Sequence, residues 1–381
     1  MHISYIRIRN WKNFKEADAQ LGQRVFVIGP NASGKSNFLD IFRFLRDLAD
    51  RGLKASVDEM RGGVSSLRCL AATRYSDIYV EVELSEGDRP LWRYVLEFNQ
   101  DQATRPSVRQ EVVTQGGQEI YRWAGSQETA DPLLATQTAL EQISLNKGFR
   151  DISNFFRSIS YQHLLPQVVR DPRGFSATPV KDDPYGRDFL LRVLKTNEKQ
   201  RKSRLAKISA ALQGAIPQLE ELDAEMDLSG VPHLVGRYRH WRPKGARQQE
   251  TQFSDGTLRL FGLFWTVFEG AGTLLLEEPE ISLHPEVVRR IPGLFYRINR
   301  ERKTARQIIV STHSEDLLSD PGISAEEILR LEPSQDGTKI KLADDADKSA
   351  MKSGMTAAEV LLPKAAPANV EQFTFAFTDD R

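Results

Sequence analysis

The stretch Gly29-Pro30-Asn31-Ala32-Ser33-Gly34-Lys35-Ser36 fits the pattern G-x-x-x-x-G-K-[ST], and its surroundings decide the fold. The apolar run at residues 25–28 leads straight into it as a short buried strand. Beyond it, Phe38, Leu39, Ile41, Phe42, Phe44, Leu45 and Leu48 recur at helical spacing. A glycine-rich turn between a strand and a helix cradles phosphate for a geometric reason. Small residues let successive backbone N–H groups curl around a β-phosphate, and the helix beginning near Lys35 adds the positive end of its dipole. Lys35 would reach the β- and γ-phosphates, and Ser36 would offer its hydroxyl to Mg²⁺. The expected nucleotide contacts are therefore Gly29, Pro30, Asn31, Ala32, Ser33, Gly34, Lys35, Ser36 and Asn37.

Working outward, the C-terminal third alternates helix, strand, helix, strand, the order that builds a parallel α/β sheet. Thr273-Leu-Leu-Leu-Glu-Glu-Pro-Glu280 ends an apolar strand in two carboxylates, expected beside the phosphate-loop strand. ATP hydrolysis needs one metal-linked acid and one water-polarising acid there. Glu277 takes the first role, through water, and Glu278 the second. Phe253-Ser-Asp-Gly-Thr-Leu-Arg-Leu260 is a serine–glycine turn opening a helix, whose N-terminus is an anion site. Ile308-Ile-Val-Ser-Thr-His-Ser314 ends another apolar strand with His313 at its tip.

Between the phosphate loop and this block lie two insertions. Residues 77–123 alternate in short segments with Glu86-Gly87-Asp88 and Gly116-Gly117 between them, an antiparallel meander. Residues 130–216 are mainly helical apart from a strand-like break at 158–165, and a strand pair follows at 219–241. The expected organisation is an ATPase core half at 1–60, an antiparallel β subdomain at 61–128, a mainly helical lobe at 129–235, the second core half at 236–362 and an extended tail at 363–381. The expected fold class is α/β: a P-loop nucleotide-binding core with a mixed or parallel sheet, an antiparallel β subdomain and an inserted helical lobe.

Composition closes off other classes. The 52 Lys and Arg balance the 52 Asp and Glu, so any attraction for nucleic acid must be local. Apolar residues make up 40% and charged residues 27%, which is globular. The single cysteine, Cys69, excludes internal disulfides and a thiolate zinc cluster, and fits a reducing cytoplasm. The start MHISYIRIRN places Arg7 and Arg9 where a signal peptide needs an apolar run, and the longest apolar stretch, 260–268, is too short for a bilayer. No membrane role is expected.

The four blocks, in this order, resemble the ABC ATPases, in particular the branch of SMC, RecF and OLD-type proteins. Glu-Glu-Pro-Glu280 followed by Ile-Ser-Leu-His-Pro285 is similar to the OLD-type proteins, where transport ATPases carry an Asp-Glu pair. The resemblance implies Mg²⁺-ATP as cofactor and a homodimer formed on ATP binding. Ser254 and the Gly256 backbone would be the signature contact to the γ-phosphate held by the opposite subunit. His313 would be the switch histidine and residues 281–285 the loop crossing the interface. The family's glutamine has two candidates, Gln162 and Gln167. The signature FSDGT lacks paired glycines, and a long insertion separates Lys35 from Ser254; both count against a transporter. Across the chain, including IRIRNWKNF and PANVEQFTF, the resemblance is to stand-alone ATPases of the AbiL-like abortive-infection group. That implies a partner effector from a neighbouring gene, a Toprim-related RloB-type protein, in anti-phage defence. Two other readings stand beside it: a RecF/SMC-type repair or chromosome-maintenance ATPase on duplex DNA, and a non-hydrolysing nucleotide-gated scaffold.

Other features read more plainly. The six histidines, at 2, 163, 233, 240, 284 and 313, lack ligand spacing. Asp344-Asp-Ala-Asp347 is a solvated loop rather than a nuclease centre. Arg237, Arg239, Arg242, Lys244 and Arg247, interleaved with Tyr238 and Trp241, suit DNA or RNA but equally the outer face of a hairpin. Lys199, Arg201, Lys202, Arg204 and Lys207 suit a solvated helix face. Phe373, Phe375 and Phe377 in the tail could add to a partner's sheet edge or pack back.

Overall fold

The computed structural model describes residues 1–73, 76–124, 133–171, 183–239, 246–302 and 305–366. Its centre is a sheet of five parallel strands, in spatial order Ile328–Glu332, Arg24–Ile28, Ile308–Ser311, Leu274–Glu277 and Ser160–Gln162. Lys339–Lys341 adds an antiparallel edge beside Ile328–Glu332. The strand-like break expected at 158–165 is thus the opposite edge of the core.

One neighbour relation differs from the sequence reading. The acidic strand does not lie beside the phosphate-loop strand; Ile308–Ser311 sits between them, with Ile309 paired to Val25 on one side and to Leu275 on the other. Motif order along a chain does not fix lateral order in a parallel sheet, because a long connection can return at any free edge. The alternation of a strand then divides the core. Val25 and Val27 face one apolar cluster and Phe26 and Ile28 the other.

On the first face lies the helix Lys35–Lys54, capped above by a six-stranded antiparallel sheet. That sheet runs Phe14–Gln20, His2–Trp11, Ile78–Glu86, Arg89–Gln100, Pro106–Gln115, Gln118–Ala124, so the opening hairpin extends the expected meander. Aromatic rings fasten the helix to this antiparallel sheet: Phe44 meets Trp11 at 5.1 Å and stacks on Phe98 at 5.6 Å. On the second face pack the helices Asp255–Phe268 and Ile291–Glu301. Outside them lie the helix Glu198–Leu212 and a three-stranded antiparallel sheet of Leu219–Met226, Pro232–Tyr238 and Ala246–Gln249. The third of these strands, reading ARQQ, carries no apolar alternation and gives no sequence signal.

Arg306 pins the lower end of the core. Its guanidinium, 2% exposed, donates to the carbonyls of Gly272, Thr266 and Glu269 and to Ser160 Oγ, so one side chain ties the edge strand to the Asp255–Phe268 helix. Burial lowers its pKa to about 9. Among the described residues no helix is long and apolar enough to cross a membrane. Pro363–Ala365 forms a short turn, and Phe373, Phe375 and Phe377 lie outside the described residues.

Candidate nucleotide and magnesium site

The phosphate loop, the two strand-end carboxylates and His313 lie at the C-terminal edge of the parallel sheet, where strands hand over to loops. The loop after Arg24–Ile28 turns through Ala32 (φ 61°) and Gly34 (φ 97°) into the helix that starts at Lys35. Gly34 is required by a close approach as well as by its backbone. A Cβ there would lie 1.9 Å from Asn13 Nδ2. Asn13, which the sequence reading passed over, donates to Ser33 O at 2.9 Å and Thr338 Oγ1 at 2.7 Å and accepts from Asn37 Nδ2 at 2.8 Å. Thr338 in turn donates to Ser33 O at 2.9 Å. The loop is therefore braced from outside by both ends of the chain.

Lys35 is buried, and its Nζ donates to Gly29 O at 2.9 Å and Pro30 O at 3.2 Å. Burial lowers its pKa, opposed by the charges of Glu278, Glu280 and Glu277. Asn31, Ala32 and Ser36 are exposed, whereas Ser33 is buried. Ser36 Oγ donates to Glu277 Oε1, although the two residues lie on different elements. A serine hydroxyl and a carboxylate oxygen in contact are the hard oxygen donors that suit Mg²⁺, which keeps several waters and takes the rest of its shell from substrate phosphates. The residues present fit that cation.

Glu277 is held further by Tyr161, whose hydroxyl donates to Oε2, and by His163, whose Nδ1 lies 3.2 Å from its carbonyl. Neither partner was expected. Glu278 has φ 42°, unusual for a residue with a side chain, and its backbone N–H donates to Ser311 O at 2.9 Å. Its Oε1 lies 3.0 Å from His313 Nδ1, so the acid and histidine assigned from two separate motifs meet. Glu280 is a third carboxylate, buried and accepting from Thr312 Oγ1 at 2.5 Å. Burial raises its pKa.

The serine turn is built separately. Ser254 is exposed and caps the helix Asp255–Phe268, its Oγ accepting from Thr257 N at 3.2 Å. A Cβ at Gly256 would lie 2.9 Å from Ser282 O, so the turn packs on the 281–285 loop of the same chain. Arg170 braces it by an ion pair to Asp255 at 2.6 Å and a bond to Phe253 O at 2.6 Å. Of the two glutamines, Gln162 ends the edge strand opposite Leu276, with a buried Nε2 that has no hydrogen-bond partner among the described residues. Gln167 instead donates to Asp255 Oδ2 at 3.3 Å.

The basic stretches are largely neutralised within the chain. Arg237 pairs with Glu221 at 3.0 Å and Arg239 approaches Glu220 at 3.6 Å, both toward the strand Leu219–Met226, and Arg247 reaches over the middle strand to pair with Glu225. Trp241, Arg242 and Lys244 lie outside the described residues. Lys202 pairs with Glu198 at 2.7 Å, Lys207 with Glu301 at 3.2 Å, and Arg204 sits over Trp265. Asp344 and Asp347 cap the helix Asp345–Lys352 reciprocally, and Lys364 pairs with both.

The fold has counterparts among known proteins. The crystal structure of the SmcHead bound to the C-winged helix domain of ScpA superimposes with a TM-score of 0.54 at 16% identity, over 92% of this chain and 100% of that one. A Smc head domain with an extended coiled coil, bound to the C-terminal domain of ScpA derived from Pyrococcus furiosus, gives 0.50 at 14% identity, over 92% and 98%. At such identities the likeness is one of fold, and the fold is that of the SMC-head P-loop ATPases. The phosphonates import ATP-binding protein PhnC 2 of Cupriavidus necator is 36% identical over 72 residues, 19% of this chain. The chain spans only 25% of that relative's length. The family described as "AAA domain, putative AbiEii toxin, Type IV TA system" matches residues 24–320, well over half of the chain, and the chain belongs to it.

Proposed function

We propose that the chain is an ATPase that works as a nucleotide-gated dimer. ATP would be held by the loop of residues 29–37 in one copy and met by the Ser254 turn of the other, with Ser36 and Glu277 sharing Mg²⁺. The metal would neutralise charge on the β- and γ-phosphates. Glu278 accepts a proton from the attacking water while His313, on its carboxylate, orients that acid and faces the γ-phosphate. The single observation that carries this reading is the convergence of three separate motifs at one sheet edge. Ser36 touches Glu277, and His313 touches Glu278. The exposure of Ser254 supports its availability to a second copy.

Opening and closing of such a dimer would pass the nucleotide state to an effector. A Toprim-related RloB-type protein acting in anti-phage defence fits the AbiL-like resemblance, and membership of a family whose description names a type IV toxin–antitoxin system supports a conflict role. A duplex-DNA ATPase draws less support, because the described arginines of the hairpin already face carboxylates.

Glu278→Gln removes the water-polarising acid and leaves nucleotide contacts in place. With Mg²⁺-ATP it should elute as a dimer in sizing runs and hydrolyse about 100- to 10,000-fold more slowly than wild type. Adding Ser254→Arg should return it to monomer. A Glu278→Gln protein that stays monomeric and hydrolyses at the wild-type rate would remove the mechanism, and wild-type turnover no higher than that of Lys35→Ala would leave a scaffold.

A further inference from the structure

We infer that Tyr161 is a positioning residue for the metal-binding acid, fixing the Glu277 carboxylate so that one oxygen stays turned to Mg²⁺. The inference rests on the reading of Glu277 given above.

Tyr161 sits in the edge strand Ser160–Gln162, paired with Leu275, two residues before Glu277 on the neighbouring strand. Its hydroxyl donates to Glu277 Oε2 while Ser36 Oγ donates to Oε1. The carboxylate is thus gripped at both oxygens by hydroxyls from two different elements. The tyrosine ring is itself fixed. The guanidinium of Arg43 lies 4.3 Å from its centroid, close enough for a cation–π contact. Arg43 and Ser36 belong to the same helix, Lys35–Lys54. The contacts therefore close a ring from the helix through Arg43, Tyr161 and Glu277 back to the helix at Ser36.

A glutamate at the metal position needs such a ring more than an aspartate would. It carries one more rotatable bond between backbone and carboxylate, and that freedom must be lost when the acid is used. Ser36 has one proton and two lone pairs, so it can turn a lone pair to Mg²⁺ and still donate to Oε1. Tyr161 holds the other oxygen, Oε2, and the two hydroxyls together set the plane in which Oε1 faces the metal. His163, at 3.2 Å from the Glu277 carbonyl, fixes the backbone end of the same residue.

A plain packing role would also place Tyr161 here, since it belongs to the buried cluster beneath the helix. The two roles separate in Tyr161→Phe, which keeps the ring and removes the hydroxyl. The measurement is the Mg²⁺ dependence of binding of a fluorescent ATP analogue to the full chain, for wild type, Tyr161→Phe, Glu277→Gln and the double variant, with thermal melts of each. Tyr161→Phe should bind the analogue in EDTA as wild type does and melt within a few degrees of it. The Mg²⁺ concentration at half-maximal tightening should rise about tenfold, the effect of one hydrogen bond to a charged group. In the Glu277→Gln background, removing the hydroxyl should add little, because the two act as one unit. A Tyr161→Phe midpoint equal to wild type, or the same factor added in both backgrounds, overturns the positioning role and leaves packing. A Glu277→Gln protein with the wild-type midpoint overturns instead the assignment of Glu277 to the metal.

Discussion

The two six-stranded sheets of this protein face the same helix and do opposite work. In the core sheet the five parallel strands are short, three to five residues each, and most of their side chains are buried. Because they run the same way, their loops leave at one edge, and Lys35, Ser36, Glu277, Glu278 and His313 all arrive there. In the antiparallel sheet the strands reach seven to twelve residues and their turns alternate between two edges. Among the described residues, the turn at Lys12 and Asn13 is the one with a side-chain hydrogen bond to the phosphate loop. Parallel topology concentrates chemistry, whereas antiparallel topology spreads it and is left with support.

That contrast can be broken most directly at Lys35. Lys35→Ala should cut turnover about 100- to 1,000-fold, roughly 3–4 kcal/mol of barrier, with the melting curve little changed. A variant that retains activity would mean the parallel edge does not carry the reaction. A second test probes the antiparallel sheet by stability rather than rate. Burial lifts the pKa of Glu111, on the strand Pro106–Gln115, to about 7, against donors at Ala139 N, Leu140 N and Tyr94 Oη. The folded value thus lies above the ordinary 4.5, so protonation favours the folded state. The contribution is whole below pH 4.5 and is lost as pH rises through 7, by about 3 kcal/mol in all. Urea midpoints at pH 5 and pH 8 should show this fall in wild type and a flatter profile in Glu111→Gln. The smallest effect should come where the sheets meet. Asn13→Ala strips donors from Ser33 O and Thr338, and should weaken ATP-analogue binding about tenfold, near 1–2 kcal/mol, without moving the Mg²⁺ midpoint. Undiminished affinity would show that the outer sheet supports the fold alone.

Sequence reading carried far where function depends on residue type at fixed spacing. Glycines 29 and 34, Lys35 and Ser36 had to stand together, and the acidic strand end and His313 each closed an apolar run. It failed where the determinant is a meeting of distant residues. Nothing near Asn13 indicates that its amide will reach Thr338, and Tyr161 reads as one more aromatic in a strand of three residues. The lateral place of Ile308–Ser311 was equally hidden, since its own apolar sequence would suit any interior position of the sheet. The polar third strand of the small sheet, Ala246–Gln249, shows no alternation because it packs by pairing more than by burial.

The phosphate-loop strand, finally, borrows both of its neighbours from the far end of the chain: Val25 pairs with Ile309 and Phe26 with Ile328. At ordinary rates of translation the nascent segment would wait tens of seconds for those neighbours to emerge. Through that interval its apolar edges have no native mate, which makes this stretch the natural point of engagement for a chaperone and of attack for a protease. Ribosome-stalled chains ending before residue 300 should accordingly be cut within 24–28 and protected there once residue 335 has cleared the exit tunnel.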